Sequence, residues 1–441
     1  MKRKWLRRLI IFLGIFALCS ASLWGAWHLW FDPYRGNASY FRSSEGLETV
    51  LKSQQAVEDL DYLVRRLEER HPACMGGLPD KLRTEYEEER AKITSSPEVT
   101  VLSLWQSAAR VLGSLGDAHT AVGVSYENRT RLPLTFVWRD DALICSGGDY
   151  DGYTLVKIGG IQVTELYEQF LAQFSYELEA WAQYSFAARL NRSEYLSFLD
   201  VDTDAEVSLV LESPDDGKRI DAAIELYEDF PVDGGEIKPN FDYSINQSAG
   251  VGIFSLRQCE YGEEYKNTLQ AFFTEASEQD IHSIIVDLRD NPGGNSMVAN
   301  EFVRYLPAES YLIGGSEVRQ GPILWKNKPQ LQKNKQLAPI FHGKLYVLTG
   351  AGTFSSAMDF ATLISDNNLG TIVGEIPGNM PSSYGDILCF QTPNAGLVFT
   401  VSYKYFVRPD ASKCDLPLLP DVEVSAENAL DEAMRLIKES L

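Results

Sequence analysis

Three short stretches of this chain hold residues suited to acyl transfer. In the first, Leu348-Thr349-Gly350-Ala351-Gly352-Thr353-Phe354-Ser355-Ser356 follows a brief apolar run, Lys344 to Leu348, that reads as a buried strand. After it, Ala357, Phe360, Ala361, Leu363 and Ile364 recur at helical spacing. The turn therefore sets Ser355 and Ser356 where a helix begins, beside unpaired N–H groups and the positive end of the helix dipole. A serine that must carry negative charge briefly is served by that setting. An ordinary serine N-cap would satisfy the same pattern.

The second stretch, Ser283 to Ser296, is a strand running into Asp287-Leu288-Arg289-Asp290-Asn291-Pro292-Gly293-Gly294. Paired glycines permit close backbone approach and offer free N–H groups, as an oxyanion hole requires. The third, Leu115-Gly116-Asp117-Ala118-His119-Thr120, places one of only five histidines between a helical run and a strand. An imidazole is the side chain whose ordinary pKa suits proton transfer near neutrality. Asp117 reads as the residue that orients this turn, and Asp287 with Arg289 as an ion pair beneath the glycines.

Taken in this order, the three stretches resemble the tail-specific, or C-terminal processing, serine peptidases and their tricorn-like relatives. The shared patterns are Gly-Asp-x-His-Thr, Asp-Leu-Arg-x-Asn-x-Gly-Gly and Thr-x-Ser-Ser-Ala, with a later Pro-Asp met by Pro420-Asp421. The resemblance spans the chain from about residue 57 onward. It implies Ser355 as nucleophile, with the adjacent Ser356 as the alternative, and His119 as general base. The oxyanion falls to the N–H groups of Gly293 or Gly294 and Ser356. The bacterial branch pairs its serine with a lysine, but Met380 stands at the matching place in Gly374-Glu375-Ile376-Pro377-Gly378-Asn379-Met380. A thioether takes no proton, so the histidine of the tricorn-like branch is expected. That branch orients its histidine with a carboxylate just before Pro-Asp; Asp415 is the nearest match and Asp410 the second.

The resemblance also implies the architecture: an α/β chain whose ClpP/crotonase-like catalytic domain joins a helical N-terminal module and a PDZ-like β domain. The divisions are expected at 1–31 for a signal-anchor or signal peptide, 32–46 for a linker and 47–118 for the helical module. Residues 119–235 make the PDZ-like and inserted region, and 236–441 the catalytic domain. Leu60, Leu63, Val64 and Leu67 share a helix face, and His71-Pro72 ends that helix. Strand patterns pair across Arg139-Asp140-Asp141 and Asp215-Asp216-Gly217, and Asp229 to Asn240 marks the boundary before the catalytic part. From there strand and helix alternate, the pattern of a parallel sheet. Tyr167, Phe170, Phe174, Tyr176, Trp181, Tyr184 and Phe186 read as packing residues.

The 441 residues exceed what one core usually holds. A net charge of −22 argues against nucleic acid as a partner. Leu9 to Phe31 is almost uniformly apolar and follows a Lys/Arg cluster, with Trp24, Trp27 and Trp30 near its far end. The expectation is a single-pass anchor with the catalytic part outside the cytoplasm, or a secreted protein if the segment is cleaved. The scattered cysteines show no metal-ligand spacing, and neither a metal nor a cofactor is expected. A Cys389–Cys414 disulfide is one option. The function that follows is a serine endopeptidase acting on extracytoplasmic proteins or peptides. The alternative is a non-catalytic peptide- or ligand-binding protein on the same fold; acyl chemistry on a CoA thioester conflicts with an external location.

Overall fold

The computed structural model describes residues 2–32, 34–126, 129–228 and 238–440. It is mixed α/β, with a helical N-terminal region and several sheets. Most of the expected Asp229 to Asn240 boundary lies outside the described residues.

One helix, Lys2–Trp30, contains a 23-residue stretch, Arg7–Leu29, long and apolar enough to cross a membrane, and none of it is buried. The helices Ser53–Arg70, Asp80–Ser95 and Val101–Gly113 follow. Their apolar faces, including Leu60, Leu63, Leu67 and Trp105, close on a shared core. His71 caps the first of them in extended backbone, and Pro72 opens the next turn.

The middle of the chain forms an antiparallel sheet in the order Arg219–Ile224, Val207–Glu212, Thr154–Ile158, Ala142–Ser146, Thr135–Arg139. Both hairpin turns read in the sequence connect its strands. Helices Val163–Leu171 and Glu179–Arg189 lie with it, and Tyr167, Phe170 and Phe186 meet in its core.

The C-terminal half is built on a six-stranded sheet in the order Phe241–Asn246, Val251–Leu256, Ser283–Asp287, Lys344–Thr349, Thr371–Gly374, Val422–Glu423. All neighbours run parallel except the first pair. Side chains alternate across a strand. Ile284, Val286, Leu345 and Val347 therefore pack with helices Glu263–Glu278, Met297–Val303 and Ser356–Asp366. Ile285, Tyr346 and Leu348 face the helix Ala429–Glu439 on the other side. Asp421 of the Pro-Asp pattern accepts the Ile372 N–H at 2.8 Å and so pins the last short strand to the sheet.

A long hairpin, Tyr384–Gln391 with Val398–Val407, carries two further strands on the outer edge of its second strand, Val122–Gly123 at the Val398 end and Gly315–Gln320 at the Val407 end. The residues expected as a linker lie along this hairpin. Ala38 donates to the Cys389 carbonyl at 2.8 Å, and the Cys389 N–H donates to Asn37 Oδ1 at 2.8 Å. Arg42 and Gln391 bond both ways, and Ser44 Oγ donates to the Gly396 carbonyl at 2.8 Å. All six cysteines are free, so the Cys389–Cys414 bridge does not form. Register explains it. Cys389 faces Thr400, and the chain must run on to Val407, about 23 Å of strand, before it turns towards Cys414.

Candidate active site

The loop after Lys344–Thr349 and the loop after Ser283–Asp287 leave the carboxyl ends of adjacent parallel strands, where open α/β sheets place their sites. They are stitched together. Thr353 Oγ1 donates to the Leu288 carbonyl at 2.7 Å, and the Phe354 N–H donates to the Asn291 carbonyl at 2.9 Å. Asp287 and Arg289 form a bidentate pair at 2.9 and 2.7 Å, and Arg289 also reaches the Ala426 carbonyl at 2.8 Å. That pair is scaffolding.

Ser355 has φ 55° and ψ −124°, a conformation that L side chains rarely adopt. Its N–H donates to Asn379 Oδ1 at 2.7 Å, and Asn379 in turn donates to Ser383 Oγ at 3.1 Å. Helix Ser356–Asp366 begins at the next residue. Ser356 is buried, and its hydroxyl donates to the Gly294 carbonyl at 2.9 Å. Gly293 has φ +100°, and a Cβ there would stand 2.7 Å from the Ser355 Cβ. A Cβ on Gly294 would strike the Cys259 carbonyl oxygen at 2.4 Å. The Gly293 N–H donates to Asn291 Oδ1 at 2.8 Å.

His119 comes from the far side of the sequence. Its loop is held by the long hairpin, where Thr400 Oγ1 donates to the His119 carbonyl at 2.7 Å and the Ser402 N–H to Thr120 Oγ1 at 3.2 Å. Asp117 is the hub beneath it, accepting the His119 N–H at 2.9 Å, the Thr120 hydroxyl, and His71 Nε2 at 3.1 Å. Asp117 and His71 are both wholly buried. Burial alone would raise the Asp117 carboxyl; the His71 hydrogen bond, the two imidazoles and Thr120 outweigh it and bring the carboxyl to about 2.

The His119 ring lies tilted against Phe354, the residue before Ser355, with centroids 4.6 Å apart, and a Cβ on Gly385 would lie 3.7 Å from its Nε2. Trp181 stacks on the same Phe354 ring at 4.1 Å. Among the described residues neither ring nitrogen of His119 has a hydrogen-bond partner. Burial lowers the imidazole pKa, and the charges of Asp117 and Asp386 offset part of that.

The fold thus gathers Ser355, Ser356, Gly293, Gly294 and the His119 ring in one region. Asp415 is not gathered with them: it sits exposed on a turn, and the carboxylates acting on His119 are Asp117 and Asp386. Asp410 caps the turn at 411–413 and pairs with Lys413 at 3.1 Å. Four neighbours escaped the sequence reading. His71 was visible only as a helix end, and Asn379 only as part of the segment lacking a lysine. Glu177 and Asp386 lie in stretches without a chemical motif. Glu177 accepts the Met380 N–H at 2.9 Å and the Ala118 N–H at 3.4 Å, and burial with the nearby Asp117 charge raises its carboxyl to about 8.

Residues 250–424 match peptidase family S41. Among solved structures, mature CPAF complexed with lactacystin superposes with a TM-score of 0.67 at 14% identity, over 88% of this chain and 98% of that one. Mature CPAF alone gives 0.64 at 14% identity, over 88% and 97%. The photosystem II D1 C-terminal processing protease gives 0.47 at 15% identity, over 88% and 98%. At 14% identity the likeness to CPAF is one of fold.

Proposed function

Since the chain carries a domain of peptidase family S41 and is a serine-type peptidase, we propose that it cleaves proteins or peptides through a Ser355 acyl-enzyme with His119 as general base. The conformation of Ser355 carries this reading. A non-glycine residue at φ 55° costs about 1–3 kcal/mol and persists where its surroundings enforce it. Here the enforced turn drives the serine against Gly293, whose missing side chain makes the room. An N-cap needs none of this, and neither does a binding protein.

In the proposed reaction the Ser355 hydroxyl attacks the scissile carbonyl and passes its proton to His119. Burial keeps that imidazole neutral and ready to accept. The proton then goes to the leaving amine, and water releases the acyl group by the same route. The oxyanion is met by the N–H groups of Gly294 and Ser356, since Asn291 occupies that of Gly293. His119 must turn off Phe354 to bond Ser355; resting sites often tighten this way when substrate binds. Asp117, rather than Asp415, is the carboxylate placed to orient the histidine loop.

The N-terminal helix is proposed as a signal-anchor. Its Lys/Arg cluster stays in the cytoplasm and the catalytic part lies outside, where the substrates would be. Labelling with a fluorophosphonate probe tests the chemistry. The natural chain and Ser356→Ala should label, Ser355→Ala should not, and His119→Ala should label slowly. Labelling that persists in Ser355→Ala would overturn the assignment.

A further inference from the structure

We propose that Asp117, His119 and Glu177 form a binding site for a divalent cation of the zinc class, and that its occupancy silences the peptidase. One ligand atom from each residue lies within 4.8 Å of the others. Tetrahedral zinc with bonds of about 2.0–2.2 Å sets its ligands about 3.3–3.6 Å apart, so the three must close by roughly 1 Å. Glu177, half-buried and held among the described residues by two backbone N–H groups, is the one with freedom to move.

Three further observations point to a ligand. First, the His119 side chain is only 10% exposed, yet neither of its nitrogens is bonded among the described residues. Leaving a buried polar group unpaired costs free energy, which a metal bond would relieve. Second, Asp117 accepts three hydrogen bonds of the roughly four a carboxylate can take, which leaves a lone pair on a firmly aimed group. The His71 and Thr120 bonds are the outer support that metal-binding carboxylates usually have. Third, among the described residues neither Asp117 nor Glu177 pairs with a lysine or arginine. Two carboxylates thus face each other without a fixed cation between them.

The donor set chooses the metal. One imidazole with two carboxylates favours zinc and its transition-metal neighbours over magnesium or calcium, which prefer oxygen alone. The silencing rests on the reading of His119 as base. A ring nitrogen whose lone pair is given to zinc has none for the Ser355 proton. No bond in the protein breaks and no electron is transferred.

The test uses the full-length chain in detergent. Zinc binding is followed by calorimetry, and site geometry by the visible absorption of added cobalt(II). Fluorophosphonate labelling rates are read as the ratio without zinc to with zinc, separately for each variant, so differences in basal rate cancel. The natural chain should bind zinc, turn coloured with cobalt and show a ratio of about tenfold or more, as loss of the free base implies. Glu177→Gln and Asp117→Asn should each weaken zinc by about tenfold or more and bring the ratio towards one. Melting curves of both variants confirm that they are folded, and Glu177→Gln alone suffices if Asp117→Asn is not. Absence of binding in the natural chain, unchanged binding in folded Glu177→Gln, or equal silencing by magnesium would each overturn the site. Binding that depends on Glu177 but leaves labelling untouched would keep the site and overturn His119 as base.

Discussion

His71 Nε2 lies 3.1 Å from the Asp117 carboxylate, with both side chains sealed from solvent. His71 Nδ1 accepts the Ala73 N–H at 3.2 Å, so in a neutral ring the proton sits on Nε2 and is donated to Asp117. Helix Ser53–Arg70 thereby reaches, through its own cap, into the loop that carries the proposed base. His71→Ala removes a donor from a buried charge and should cost about 1–3 kcal/mol by urea unfolding. It should also slow fluorophosphonate labelling, because Asp117 no longer holds the His119 loop firmly. An unchanged labelling rate in a folded variant would confine His71 to stability.

Ser355 sits in backbone that favours glycine. Ser355→Gly and Ser355→Ala should both fail to label, yet differ in stability. The glycine variant relieves the strained turn and should be more stable than the alanine variant by about 1 kcal/mol. Equal melting temperatures would show that the turn stores nothing.

Gly293 has no room for a methyl group. Gly293→Ala would push against Ser355 and the Phe354 carbonyl, 2.7 and 2.8 Å from the new atom. The proposed oxyanion pocket lies at this contact, and its distortion should lower kcat/KM by about 100-fold or more. A variant that cleaves a reporter peptide normally would move the oxyanion site elsewhere.

Asp359, in the first turn of the helix after Ser355, has its carboxyl raised from 3.8 to about 7; burial is the main cause, Asp386 adds to it, and Lys404 opposes it. The sign follows from linkage. Between these values the unfolded chain releases a proton that the folded chain keeps, so folding stability falls as pH rises and levels off above about 7. Asp359→Asn lacks that loss. Its advantage in melting temperature over the natural chain should grow from pH 4 to pH 7 and then stay level. A pH-independent difference would mean that the carboxyl titrates normally.

Local pattern made legible the turns that carry Ser355, Gly293, Gly294 and His119, because the neighbours of each report its backbone. The strands and helices of the C-terminal half were legible for a related reason: two faces of one sheet are buried, so its strands are apolar throughout. What failed was whatever depends on a distant segment. Glu177 reaches the site because the connection between two helices of the middle region packs against Met380, 203 residues later. No spacing in the sequence encodes that. Asp415 was selected by its distance from Pro-Asp along the chain, but the intervening turn leaves it in solvent. Trp181 was read as packing, and it does pack, against Phe354 beside the proposed nucleophile.

The strip from Asn37 to Ser44 hems one end of the long hairpin, while His119 leans on the same hairpin at Gly385. Trimming the chain after residue 31 and trimming it after residue 46 are therefore different operations. The first shears off only a greasy helix. The second unpicks the hem, and a soluble version meant for kinetics or crystals should begin near Tyr34 to keep the fabric around the histidine taut.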